Sequence, residues 1–115
     1  MQESKCRKIQ INVGDKVIIT ISNAGNLGIG TTSPEGKLDV AGGISAGSYA
    51  GVNTPPSNGM IISGNVGIGT TAPTSKLQVV GLPVYANNAA AVTGGLTAGA
   101  FYRTGADPDP VMVVH

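Results

Sequence analysis

Side chains able to take part in chemistry are few in this sequence, and each group has a plainer reading beside the chemical one. Asp107 and Asp109 are the most closely spaced carboxylates, and paired acids are the tools of general acid–base and glycoside chemistry. Both precede proline in "GADPDP", a composition that favours a rigid turn, and no lysine or further acid lies near in sequence to complete a site. His115 is the single histidine; three copies meeting on an axis could hold a metal through it, whereas a packed or frayed terminus is the expected state. Ser75-Lys76 has the residue types of a serine–lysine dyad, but neighbours along a strand point to opposite faces. Cys6 is the only cysteine, which excludes an intrachain disulfide and a multi-cysteine zinc site. Lys5, Arg7 and Lys8 around it favour a thiolate, and no role is assigned to it. Tyr85, Phe101, Tyr102 and Arg103 form the candidate recognition surface; the plainer reading makes these few aromatics the core of a small module.

Two glycine-rich stretches invite a nucleotide reading that their context removes. Gly28-Ile29-Gly30 and Gly67-Ile68-Gly69 begin a G-x-G-x-x-G fingerprint, but its third glycine is Ser33 in one stretch and Ala72 in the other. Pro73 and the strand-like "KLQV" then stand where the fingerprint needs a helix. A phosphate loop fails as well, because Gly36 lies one residue too far from Gly30 and Leu38 occupies the magnesium-binding Ser or Thr position.

The elements that would position any site are short. The 115 residues amount to one domain or a short string of elements. Hydrophobic residues make up 41%, but aromatics are 3% and tryptophan is absent, so large core-filling side chains are scarce. Charged residues are 11% with a net charge of +1, against a globular norm of about 25%. That balance argues against a strongly basic nucleic-acid binder and against an acidic disordered tail. No stretch has the length and apolarity of a membrane span or of a signal-peptide core.

Ile9, Ile11 and Val13 alternate with polar residues, Gly14-Asp15 supplies a turn, and Val17, Ile19 and Ile21 alternate again. This predicts a hairpin with one apolar face. "GNLGIGTTSPEGKLDV" (Gly25–Val40) then recurs as "GNVGIGTTAPTSKLQV" (Gly64–Val79), a period of 39 residues with eleven of sixteen positions identical. Each copy predicts two short strands, carrying Leu27 and Ile29 then Leu38 and Val40, and Val66 and Ile68 then Leu77 and Val79. Pro34 or Pro73 sets the turn between them. Gly28, Gly30, Gly67 and Gly69 fall opposite the aliphatics, and a bare strand face admits close approach of another backbone, here expected from a second chain.

"GGISAGSYAGVNTPPSNG" between the copies reads as loop or irregular spacer. From Leu82 the chain reads as strand (Leu82–Tyr85), a short helix capped by Asn87 or Asn88 and stopped at Gly94-Gly95, strand (Ala100–Thr104), turn, and strand (Val111–His115). The expected divisions are 1–24 for the hairpin, 25–81 for the repeats and 82–115 for the C-terminal module. Burying the four aliphatics of one repeat supplies roughly 1.5–3 kcal/mol each, whereas ordering its sixteen residues costs about 1–2 kcal/mol apiece. The deficit points to stabilisation by neighbouring copies.

The residues of the repeat also carry a family resemblance. "GNVGIGTTAPTSKLQV" resembles the Asn-Val-Gly-Ile-Gly-Thr-Thr-x-Pro-x-x-Lys-Leu-x-Val element that recurs in bacteriophage tail fibres and related virion fibre proteins, and in bacterial proteins that share their parts. The tail "GLPVYANNAAAVTGGLTAGAFYRTGADPDPVMVVH" is similar to a short C-terminal module that follows such elements. The resemblance implies a mainly β, elongated homotrimeric fibre of short strands and turns, β-prism or solenoid-like, ending in a small module with one short helix. It implies a structural role in the virion, with attachment to a host-surface glycan or protein at the tip and contacts to other virion or appendage proteins. No catalysis, cofactor, metal, nucleic acid or membrane insertion is expected, and Leu27, Ile29, Leu38, Val40, Val66, Ile68, Leu77 and Val79 are the expected assembly residues. Many relatives end in a self-cleaving chaperone domain with a serine–lysine centre, and nothing here resembles it. A bacterial surface fibre built from the same elements is the alternative, and a polysaccharide-degrading spike is the third reading, disfavoured by six acids scattered along the chain.

Overall fold

A computed structural model describes residues 8–115; Cys6 and the basic residues at positions 5 and 7 lie outside the described residues. The chain is mainly β and divides into two compact units, one ending at Gly64 and the other spanning Asn65–His115. The first unit contains β1 (Ile9–Val13), β2 (Lys16–Ile21), β3 (Leu27–Ile29), β4 (Leu38–Val40), β5 (Ile44–Ala46), a 3₁₀ turn (Gly47–Tyr49) and β6 (Met60–Ile62). The second contains β7 (Val66–Ile68), β8 (Leu77–Val79), α1 (Asn88–Thr93), β9 (Phe101–Arg103) and β10 (Val111–Val113).

β1 and β2 form the expected hairpin around Gly14-Asp15, and β2 continues antiparallel onto β3. Ile11 pairs with Ile19 but Asn12 pairs with Val17, so Ile18 is the extra residue of a β-bulge. The alternation expected to place Val17 beside Ile19 and Ile21 stops at that bulge.

Within each repeat the two strands are parallel: Leu27 pairs with Leu38 and Ile29 with Val40, and in the second copy Val66 pairs with Leu77 and Ile68 with Val79. Parallel neighbours ordinarily need about a dozen connecting residues, yet β3 and β4 are joined by only the eight residues 30–37. The link succeeds because it lies flat against the sheet. Asn26 Nδ2 donates to the Pro34 and Glu35 carbonyls (3.1 and 3.3 Å), and Asn65 Nδ2 donates to Pro73 O (3.0 Å). Thr31 Oγ1 accepts from Ser33 N and Thr70 Oγ1 from Ala72 N, each at 3.2 Å. Asp39 Oδ2 accepts from the amides of Glu35 (2.6 Å) and Gly36 (3.3 Å), and Gln78 Oε1 accepts from Thr74 N at 2.8 Å. Gly30 and Gly69, both at φ +75°, start the link in a left-handed conformation suited to glycine.

The backbone that approaches the glycine face is therefore the chain's own. A Cβ on Gly28 would sit 2.8 Å from Thr31 Cγ2 and 3.3 Å from Pro34 Cβ, and one on Gly67 would sit 2.8 Å from Thr70 O. This corrects the expectation that a second chain fills that face.

Two further expectations are revised. The spacer between the repeats holds a third parallel pair, β5 with β6, in which Ile44 faces Met60 and Ala46 faces Ile62. Leu82–Tyr85 makes no strand; Val84 forms a single bridge to Arg103, with Tyr85 N donating to Arg103 O and Pro83 O accepting from Arg103 N. Proline has no N–H to extend the ladder. The helix is capped as expected: Asn87 Oδ1 accepts from Ala90 N at 2.9 Å, and Gly94 ends it. Among the described residues no helix is long and apolar enough to cross a membrane.

If the crossover rests on the bare glycine, Gly67→Ala should lower stability by about 1–3 kcal/mol through overpacking. Gly64→Ala, where an added Cβ meets nothing within 4 Å, should stay within about 0.5 kcal/mol. Denaturant midpoints of the two variants measure the difference.

Candidate functional site

The pairing registers sort side chains by face. On one face of the four-stranded sheet, Ile9, Ile21, Leu27 and Leu38 form one row and Ile11, Ile19, Ile29 and Val40 form the next. Between these rows, on the opposite face, run Gln10, Thr20, Gly28 and Asp39. In the second repeat the aliphatic face carries Val66, Ile68, Leu77 and Val79, with Gly67 and Gln78 opposite. All eight expected assembly residues thus lie on the aliphatic faces of their own sheets.

Those faces are open. Ile29 is 41% exposed, Ile68 55%, Leu38 59% and Leu77 63%, while Leu27, Val40, Val66 and Val79 are half-buried. Among the described residues the first unit instead buries Thr20, Gly28 and Pro34, on the side that the crossover covers. The hydrocarbon that folding would ordinarily hide faces outward here, and each such side chain brought into a dry interface is worth roughly 1.5–3 kcal/mol.

The C-terminal module divides the candidate recognition group. Tyr102 is 1% exposed and packs with Ala91 and Val114, flanked by Tyr85, Leu96 and Ala100. Tyr85 meets its ring edge-on, with centroids 6.3 Å apart and planes at 72°, and donates from its hydroxyl to Gly94 O at 3.3 Å. Tyr102 therefore belongs to the core and not to a surface. Phe101, on the other face of β9, is 57% exposed. It lines an open apolar cavity of about 440 Å³ with Leu77, Gln78, Val79, Leu82 and Val111. That cavity joins the aliphatic face of the second repeat to the outer face of β9 and β10, a continuity hidden in the sequence because Phe101 and Leu77 are far apart along the chain. The alternation of Val111 and Val113 is the one local signal for it.

Arg103 does not stand free. Its Nη1 lies 2.7 Å from Asp109 Oδ2, and Asp109 Oδ1 accepts from Gly105 N at 2.7 Å and from Thr104 Oγ1 at 3.4 Å. The hydrogen bond from Arg103, then that from the Gly105 amide, hold the Asp109 carboxyl below the usual carboxylate range. Asp109 is thus engaged as the anchor of the turn expected from "GADPDP". Ser75 and His115 are likewise held by structural hydrogen bonds. Ser75 Oγ donates to Leu77 O at 3.1 Å, and the backbone of His115 is held by Asn88, whose Oδ1 accepts from His115 N (3.2 Å) and whose Nδ2 donates to His115 O (3.1 Å). Among the described residues no three His, Cys, Asp or Glu side chains converge on a point where a metal ion would sit.

Two outcomes follow for the module. Tyr102→Ala should destabilise it by about 3–5 kcal/mol, the cost of emptying an aromatic core position, while Phe101→Ala should leave its melting unchanged; calorimetry separates them. Because the folded-state pKa of Asp109 is depressed, its stabilisation is fully present above the ordinary value of about 3.9 and is lost as pH falls through the lower folded value. A carboxyl-detected NMR titration should find the Asp109 midpoint below the ordinary aspartate value of about 3.9, and Arg103→Ala should move it upward.

No family model, curated protein or solved structure matches this chain.

Proposed function

We propose that this chain is a structural fibre protein that assembles with copies of itself, as a homotrimer, through the aliphatic faces of its strand pairs. The observation that supports the reading is the open hydrocarbon face of each repeat, where Ile68 and Leu77 stand more than half exposed on a sheet whose other side is closed by the crossover. A lone chain exposing such a face is aggregation-prone, and closed rotational assembly is the common way to bury one surface on every copy. The repeat's resemblance to virion fibre elements favours a phage tail fibre or similar appendage, with the C-terminal module at the tip. The exposed side of that module, Phe101 with Val111 and the Arg103–Asp109 pair, is where a host glycan or another appendage protein would be met.

Light scattering coupled to size exclusion tests the assembly, with a mass of three chains expected. Ile68→Asp should yield monomers, because a carboxylate in the shared interior lacks a partner. Thr71→Asp, on the exposed crossover, should leave the trimer intact. A wild-type chain that stays monomeric at micromolar concentration overturns the proposal.

A further inference from the structure

The two repeats have the same fold but different neighbours, and the difference exposes a strand edge. In the first repeat the edge of β3 is filled by β2: Thr20 pairs with Gly28, and Gly30 N donates to Ile18 O at 2.9 Å. Gly28 is buried as a result. In the second repeat β7 and β8 form a sheet of two strands, and Gly67, the counterpart of Gly28, is exposed. Val66 N donates to Lys76 O (2.9 Å) and Ile68 O accepts from Val80 N (2.8 Å), so these groups face β8. Strand alternation then turns the N–H and C=O of Gly67, and the N–H of Gly69, toward the open side. By the same alternation the backbone groups of Leu77 and Val79 point away from β7 at the other edge.

We infer that the open edge of β7 is completed by the outer edge of β8 from a second copy of this chain, through backbone hydrogen bonds to Gly67 and Gly69. The inference rests on the self-assembly proposed above and names its contact. A second copy is favoured as the occupant because both edges belong to one sheet and each strand is three residues long. Copies related by rotation can then pair β7 of one with β8 of the next, and ring closure leaves no edge over. Neither Val66–Ile68 nor Leu77–Val79 carries the lysine or proline that natural proteins place on edges meant to stay unpaired. The same joint makes the aliphatic face continuous from one copy to the next, so Ile68 and Leu77 lose their exposure in the contact that pairs the backbones.

Residue-resolved hydrogen exchange on the full chain, with its mass measured alongside, tests the contact. In the assembled protein the Gly67 and Gly69 amides should exchange at least about 100-fold more slowly than in wild-type chain diluted until monomeric, or in Ile68→Asp. The Val80 amide is bonded within the chain; its protection in each sample reports that the repeat is folded, and if the variant loses it, the diluted wild type is the reference. An assembly of full mass whose Gly67 and Gly69 amides exchange as fast as the monomer's overturns the edge pairing while leaving self-assembly standing. A chain that is monomeric at every concentration overturns both.

Discussion

A short parallel crossover governs this protein. Eight residues must carry the chain from the end of β3 back to the start of β4, and a link that short can only run directly over the sheet it connects. It needs a strand face without side chains, which Gly28 and Gly67 provide, and it needs its own amides and carbonyls satisfied close at hand, which Asn26, Asn65, Asp39 and Gln78 do. One side of each strand pair is thereby occupied by the link. Every aliphatic residue of the repeat is consequently on the other side, and the open hydrocarbon face follows from the connection rather than from a separate design.

The C-terminal module reaches stability by a different route. Its core is small but conventional, with Tyr102 enclosed by Ala91 and Val114 and edged by Tyr85. Two consecutive asparagines do opposite jobs there: Asn87 closes the start of α1, and Asn88 reaches away from it to hold the backbone at His115. The first unit has no such core among its described residues, since what it buries is a threonine, a glycine and a proline. One part of the chain therefore encloses an aromatic core of its own, and the other leaves its aliphatic face open.

Strand positions were legible because alternation is a local signal: Ile9 to Val13, Leu27 to Ile29 and Leu77 to Val79 all sit where their patterns put them. The caps of α1 were legible for the same reason. Pairing direction was hidden, because a turn with a central proline suits a hairpin as well as a crossover, and the parallel register of Leu27 with Leu38 and Ile29 with Val40 appears only in the fold. The pair β5–β6 was hidden by composition, since Ile44–Ala46 has only one large aliphatic. The bulge at Ile18 leaves no trace in an unbroken run of β-formers. Tyr102 and Phe101 are adjacent in sequence and opposite in fate, and only the packing of α1 against one side of β9 decides which becomes core. Position 39 of the first repeat and position 78 of the second differ in charge, yet both supply the oxygen that holds the link. Identity alone understates how alike the copies are.

The bonds that close a repeat span very little chain: eight residues from Asn65 to Pro73 and four from Thr74 to Gln78. Contacts of such low order form on the microsecond scale of hairpins and small loops, whereas subunit association takes milliseconds to minutes and depends on concentration. In the self-assembly proposed above, newly made chains would therefore acquire their open aliphatic face well before they met their partners. During that interval correct encounter and indiscriminate clumping would compete for the same surface, so the yield of such assemblies would be set by how crowded the nascent chains are, and not by how stable the finished object is.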